Sequence, residues 1–182
     1  AIGFTVGAPG LSQVGFVEDI LCDRAFIEER KDNAQELATL EDIAMIGVIT
    51  PHLLANVAAA SALARSFGIP AEAVKLGIRE FRLDRHRIEV VLEHDEITWI
   101  DDSKATNPHA AAASLASFDS IVWVVGGLLK GVNVAPLVAK FAPRLRGAVV
   151  IGKDRELVLE ALRAEAPSVP VIEITTDDND EV

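Results

Sequence analysis

Cysteine is nearly missing from this chain: Cys22 is the only one among 182 residues. A single thiol excludes an internal disulfide framework and any multi-cysteine zinc site, and it fits a reducing compartment. Positive charge is scarce as well. Lys and Arg number 17 against 28 Asp and Glu, a formal net charge of -11. That balance argues against a nucleic acid or an anionic membrane as partner, because both need concentrated Lys and Arg. Long apolar runs are absent: no stretch reaches the roughly 18 uncharged residues of a membrane span. The nearest candidate, residues 53–69, carries Asn56 and Arg65. The opening AIGFTVGAPG has neither the basic region nor the cleavage pattern of a signal peptide. Neither G-x-x-x-x-G-K-[ST] nor G-x-G-x-x-G occurs. Half the residues are hydrophobic and a quarter charged, so the expectation is a soluble, cytoplasmic, globular chain of one domain or two compact pieces.

The first fifty residues read as short strands and turns, with strands over residues 2–6, 14–17 and 25–28 and the turn Gly7-Ala8-Pro9-Gly10 between the first two. No helical period runs through this segment, which reads as the edge of a sheet. Thr50-Pro51 is a helix start, with Thr50 as N-cap and Pro51 at the first helical position. The helix stops at Gly68, and Pro70 opens a second one. The charged stretch RLDRHR, residues 82–87, then marks a domain boundary, placed between residues 84 and 85. Beyond it, strands alternate with helices: a hairpin over 88–100, a helix from Pro108, the strand IVWVV, a helix over 134–141, the strand AVVI, a helix from Arg155 and a strand over 169–174. Continuous apolar strands such as IVWVV belong to a parallel sheet covered on both faces. The expected class is therefore α/β: a Rossmann-like C-terminal domain with a mostly parallel sheet, preceded by a strand and helix-pair piece.

In open parallel sheets, ligands sit where loops leave the carboxyl ends of strands and enter helices. Two loops there have unusual composition. The first is Asp101-Asp102-Ser103-Lys104-Ala105-Thr106-Asn107-Pro108. Asn107 is placed as N-cap, so Thr106 and Lys104 stand at the positive end of a helix, a natural anion site. The same residues also serve as ordinary turn and cap residues, and composition leaves both readings open. The second is Gly126-Gly127-Leu128-Leu129-Lys130-Gly131. Its double glycine permits a close backbone approach, and Lys130 supplies a mobile cation.

The run HRIEVVLEHDEITWIDDSKATNP followed by VVGGLLKG resembles the start of the C-terminal domain of the Mur ligases, most of all the branch that adds D-glutamate to UDP-N-acetylmuramoyl-L-alanine. His52 and Asn56 match the H-x-x-x-N pattern late in that family's central ATPase domain. The resemblance spans about residues 50–174 and is densest over 85–130. It implies a ligase for peptidoglycan precursor synthesis that makes an acyl phosphate from a carboxylate and ATP, then lets an amine displace the phosphate. It implies residues 1–84 as the end of the central ATP-binding domain and 85–182 as an incomplete amino-acid-binding domain. Asn56 would contact the adenine, His86 and Arg87 would line the nucleotide, and Asp102 would take the ribose hydroxyls. Lys104 would hold a phosphate and act catalytically. Thr106 and Lys130 would hold a carboxylate of the incoming D-glutamate.

The departures are equally informative. The family's P-loop, its upstream acidic and histidine metal ligands with a modified lysine, and its downstream serine-rich loop have no counterpart here. The expectation is a monomeric piece of a ligase, inactive alone, whose parent uses ATP and Mg2+ with metal ligands outside this chain. Alternatives are another Mur or folylpolyglutamate-type ligase, and a Rossmann-like module that binds a nucleotide or anion without chemistry. His94 and His109 read as surface residues, Cys22 as an inert thiol, and Trp99 and Trp123 as core. Asp177, Asp178, Asp180 and Glu181 read as a solvated tail without the spacing of a calcium loop.

Overall fold

A computed structural model describes residues 1–175, so the acidic tail lies outside the described residues. Two compact units divide after Asp101. The first begins with β1 (Gly3–Phe4), β2 (Gln13–Val17), β3 (Ile20–Asp23) and β4 (Gln35–Thr39), in that spatial order. β1 runs parallel to β2, and the other pairs are antiparallel. Inward residues Val14, Leu21 and Leu37 are almost wholly buried. They pack with Val57, Ala58 and Ala62 of α2 (Pro51–Ser66) and Val74 and Ile78 of α3 (Ala71–Glu80). Small alanines on the buried face of α2 let helix and sheet approach closely.

The helix pair follows the sequence reading. Thr50 Oγ1 accepts from Leu53 N, Pro51 opens α2, and Gly68 takes φ +80° after its end. The segment before it differs. Residues 25–28 are not a strand, because buried Asp23 ends β3: its Oδ1 accepts from Ala25 N at 2.7 Å and Phe26 N at 3.0 Å, turning the chain away. The strands β3 and β4 and a short helix, α1 (Leu40–Ala44), stand where the sequence reading had no element. Thr39 caps α1: its hydroxyl accepts from Asp42 N, and Asp42 Oδ2 accepts from Thr39 N at 3.0 Å.

That box gives a pH-dependent contribution. The Thr39 N–H donated to it holds the Asp42 carboxyl below the usual carboxylate range, and Lys75 beside it adds to the effect. The stabilisation is complete above the ordinary carboxylate pKa of about 4 and disappears as pH falls through the lowered value. Asp42→Asn is expected to cost about 1 kcal/mol at neutral pH and progressively less in acid. Urea melts at pH 7 and pH 3 check this; an equal loss at both would contradict it.

The first unit ends with an antiparallel hairpin, β5 (Glu89–His94) and β6 (Ile97–Asp101). Asp95 and Glu96 both take positive φ, +50° and +62°, the geometry of a two-residue turn matched to strand twist. Trp99 is 52% exposed, which corrects its reading as core: the hairpin is a two-stranded sheet that carries it outside the first unit's buried cluster.

The second unit alternates α4 (Pro108–Leu115), β7 (Ile121–Gly126), α5 (Ala135–Phe141), β8 (Leu145–Ile151), α6 (Arg155–Glu165) and β9 (Val171–Glu173). The sheet order is β7-β8-β9, all parallel. Trp123 and Val125 face a core built on Val138, Val150, Val158 and Leu162. The expectation of cover on both faces is corrected for the described residues. Val122, Val124 and Ile172 of the opposite face are 65%, 55% and 62% exposed, because the helices of this unit pack on one side only. The α/β class with a parallel Rossmann-like sheet stands. No helix among the described residues is long and apolar enough to cross a membrane.

Candidate functional site

In the first unit, Arg87 borders a cleft of about 220 Å³. Ile46, Gly47 and Val48, which lead into α2, form one wall, and Leu83, Ile88, Glu89 and Val90 form another. Asp84 and Arg85 line it as well, with Arg87 Nε 3.8 Å from Asp84 Oδ2, and an apolar wall beside a guanidinium suits a ligand with a flat ring and an anionic group. Asn56 is exposed on the second turn of α2, and His52 one turn earlier meets Thr50 Oγ1 at 3.2 Å.

The segment carrying Arg87 is strained. His86 and Ile88 on either side of it both take left-handed φ, +67° and +49°, each costing about 1–3 kcal/mol for a non-glycine residue. Two carboxylates hold it there. Glu89 Oε2 accepts from His86 N at 2.8 Å, and His86 Nδ1 meets Asp101 Oδ2 at 2.6 Å. Glu89 and Asp101 are partners across β5 and β6, so one rung of the hairpin grips one residue by backbone and ring. Arg85 Nε adds a 3.6 Å contact to Glu89 Oε1. Ligand atoms of His86, Glu89 and Asp101 lie within 4.8 Å of one another, close enough for a cation. The hydrogen bonds account for that closeness without one.

In the second unit, the 102–107 loop folds on itself: Ala105 N donates to Asp102 O and Thr106 N to Lys104 O, both at 2.8 Å. Asn107 Oδ1 accepts from Ala110 N at 3.0 Å and caps α4, with Pro108 at its first turn. Lys104 and Thr106 are exposed at this helix start, and Asp102 is half-buried. At the far end of α4, Arg144 just before β8 donates to the carbonyls of Ala116 and Phe118, each at 2.9 Å. The C-terminus of α4 therefore lies where β8 begins, and its N-terminus, with Lys104 and Thr106, points toward the edge where the strands end.

Lys130 belongs to that edge too, because its loop leaves the end of β7. Only glycine fits at residue 126, where a Cβ would collide with the Ile151 carbonyl, and a Cβ on Gly152 would lie 2.6 Å from Gly127 N. The loop is pinned by Asp154, whose Oδ2 accepts from Leu129 N at 2.7 Å and whose N–H donates to Gly127 O at 3.1 Å. Lys130 stands exposed at its tip with φ +50°. The candidate residues thus form two sets: Asn56, His86 and Arg87 in the first unit, and Asp102, Lys104, Thr106 and Lys130 in the second. The roles of Glu89, Asp101 and Asp154 were not foreseen from sequence. The last had a signal, an Asp three residues after β8 in a loop facing the double glycine.

Comparison with known proteins now decides the family. The model for "Mur ligase, glutamate ligase domain" matches residues 86–181. This chain belongs to the Mur ligase family. Among its relatives, the UDP-N-acetylmuramoylalanine--D-glutamate ligase of Streptomyces avermitilis is 57% identical over 178 residues, which is 98% of this chain and 38% of that protein. The ligase of the same name from Leifsonia xyli is 52% identical over the whole chain and 35% of its own length. The chain therefore spans a little over a third of these Mur ligases. Two solved structures share the fold. The UDP-N-acetylmuramate-alanine ligase of Thermotoga maritima matches with a TM-score of 0.54 at 22% identity, over 71% of this chain and 30% of its own. MurF from Acinetobacter baumannii matches with a TM-score of 0.56 at 17% identity, over 94% of this chain and 38% of its own. The Mur ligase domain match begins at His86, inside the strained segment that ends in Arg87 and Ile88.

Proposed function

We propose that this chain is a part of a cytoplasmic, monomeric Mur ligase that contributes residues for ATP and for D-glutamate, in an enzyme that joins D-glutamate to UDP-N-acetylmuramoyl-L-alanine for peptidoglycan precursors. Residues 1–84 belong to the central ATP-binding domain and 85–182 to the amino-acid domain. The observation that carries the reading is the shared strand-end edge of the second unit, where Lys104, Thr106 and Lys130 expose two ammonium groups and a hydroxyl beside a capped helix start. Relatives of 45–57% identity bearing the D-glutamate ligase name support the choice of amino acid over other ligases of the family.

In this reaction the substrate carboxylate oxygen attacks the γ-phosphorus of ATP and ADP leaves. The D-glutamate nitrogen then attacks the acyl carbon, loses a proton, and phosphate departs. Asn56, His86 and Arg87 hold the nucleotide, with the apolar cleft beside Arg87 suited to part of it. Asp102 accepts hydrogen bonds from the ribose hydroxyls. Lys104 holds a phosphate, where fixed positive charge stabilises the charge that develops at phosphoryl oxygens. Thr106 and Lys130 fix a side carboxylate so that the amine meets the acyl carbon, and positioning of this kind carries much of a two-substrate barrier. Mg2+ accompanies ATP and supplies charge neutralisation; its ligands are assigned to the rest of the enzyme.

The two halves are separable by kinetics of the full-length ligase. Lys130→Ala is expected to raise KM for D-glutamate by roughly tenfold or more, the loss of one charge-assisted contact, with little change in KM for ATP. Asp102→Ala is expected to do the reverse. Steady-state assays varying each substrate check both, and a Lys130→Ala enzyme with the parent D-glutamate dependence removes Lys130 from the pocket.

A further inference from the structure

Resting on the nucleotide reading of Arg87, we propose that Asp101 and Glu89 are positioning residues for ATP that act through His86. Arg87 stands between two residues in left-handed conformation, one of them the β-branched Ile88. A chain left to itself relaxes from such a conformation, and relaxation there swings the guanidinium away from the cleft wall that Arg87 shares with Ile88 and Glu89. One hairpin rung holds the segment. Glu89 takes the His86 backbone N–H at 2.8 Å, and Asp101 takes the His86 ring at 2.6 Å. The two carboxylates face each other as register partners of β5 and β6. The hairpin turn at Asp95 and Glu96 sits at the opposite end of the same two strands, so hairpin pairing and the shape of the ATP-facing segment are one structural event.

The ring contact requires an acceptor at residue 101 rather than a charge. With Nδ1–H donating, an asparagine oxygen at that position accepts equally, whereas alanine does not. Glu89 differs, because its partner is a backbone N–H and any shorter side chain loses it.

The test uses the full-length ligase and five variants: Asp101→Ala, Asp101→Asn, Glu89→Ala, His86→Ala and the double variant His86→Ala with Asp101→Ala. KM for ATP is expected to rise about tenfold in Asp101→Ala, the loss of one hydrogen bond to the His86 ring. KM for D-glutamate and the thermal midpoint should stay near the parent values. Asp101→Asn restores most of the ATP affinity. In the His86→Ala background, Asp101→Ala adds no further loss, because the pathway through the ring is already gone. Equal rises in both KM values, or additive losses from His86 and Asp101, overturn the proposal. If Asp101→Ala does not fold, Glu89→Ala carries the same expectation of an ATP-selective rise, and its absence overturns the proposal as well. A parent enzyme that turns over without ATP sinks the nucleotide reading itself. An ATP-dependent parent indifferent to residues 89 and 101 sinks only this inference.

Discussion

Replacing Lys104 with alanine in the full-length ligase is expected to lower kcat about 10²–10³-fold while leaving the fold intact. The side chain is exposed, and the Lys104 carbonyl that accepts from Thr106 N is kept in the variant, so its removal costs no packing. Its chemistry is another matter. A fixed ammonium beside a helix start stabilises phosphoryl charge most where that charge grows, in the transition state, and single donors of this type contribute on the order of 10²–10³ in rate. The expected signature is a kcat effect larger than the KM effect, since an interaction made chiefly in the transition state moves both kcat and kcat/KM. Rates of ADP release at saturating substrates decide it. A kcat near the parent value would leave Lys104 as a cap-loop residue, the alternative that composition alone left open.

The second large effect is on stability. Asp23 is fully buried, and its Oδ2 accepts from Arg65 Nε at 2.8 Å. Its Oδ1 accepts from Ala25 N and Phe26 N, while Arg65 Nη1 donates to Ile69 O at 2.7 Å. The pair links the end of β3 to the end of α2 and to the turn that leads to α3. Arg65→Ala leaves a buried carboxylate without its counter-charge and is expected to cost about 3–5 kcal/mol. Asp23→Asn combined with Arg65→Met removes both charges and should cost less than Arg65→Ala alone, because the penalty lies in the unpaired charge rather than in the lost bond. Chemical denaturation of the three proteins checks this. If the double variant were the least stable, the account of the pair would be wrong.

Much of the second unit was legible because its signals are local. Asn107-Pro108 is a cap followed by a first-turn proline, IVWVV is a buried-strand run, and the glycines at 126 and 127 announce a close approach that the Ile151 carbonyl then explains. Residues 20–44 were harder. β3 is four residues long and ends on a polar residue, Asp23, whose role depends on Arg65, 42 positions away. The α1 helix did carry a short-range signal, Thr39-x-x-Asp42, but five residues show too little period to be seen as a helix. Trp99 was misread because an apolar alternation looks the same on a hairpin carried outside a core as on one within it. The loops holding Lys104 and Lys130 were legible as loops that expose a lysine beside a helix start or a glycine turn. The strained turn around Arg87 was not, since the positive φ of His86 is held by its backbone bond to Glu89 and by a ring contact to Asp101, 15 positions away.

The most direct test of the central claim is the amino-acid dependence of ATP cleavage. The full-length ligase containing this segment is assayed for ADP release with UDP-N-acetylmuramoyl-L-alanine and each candidate amino acid in turn. Release of ADP matched one for one by amide product with D-glutamate, and not with L-alanine or L-glutamate, is the predicted result. ADP release that ignores D-glutamate, or that follows another amino acid, would contradict the account.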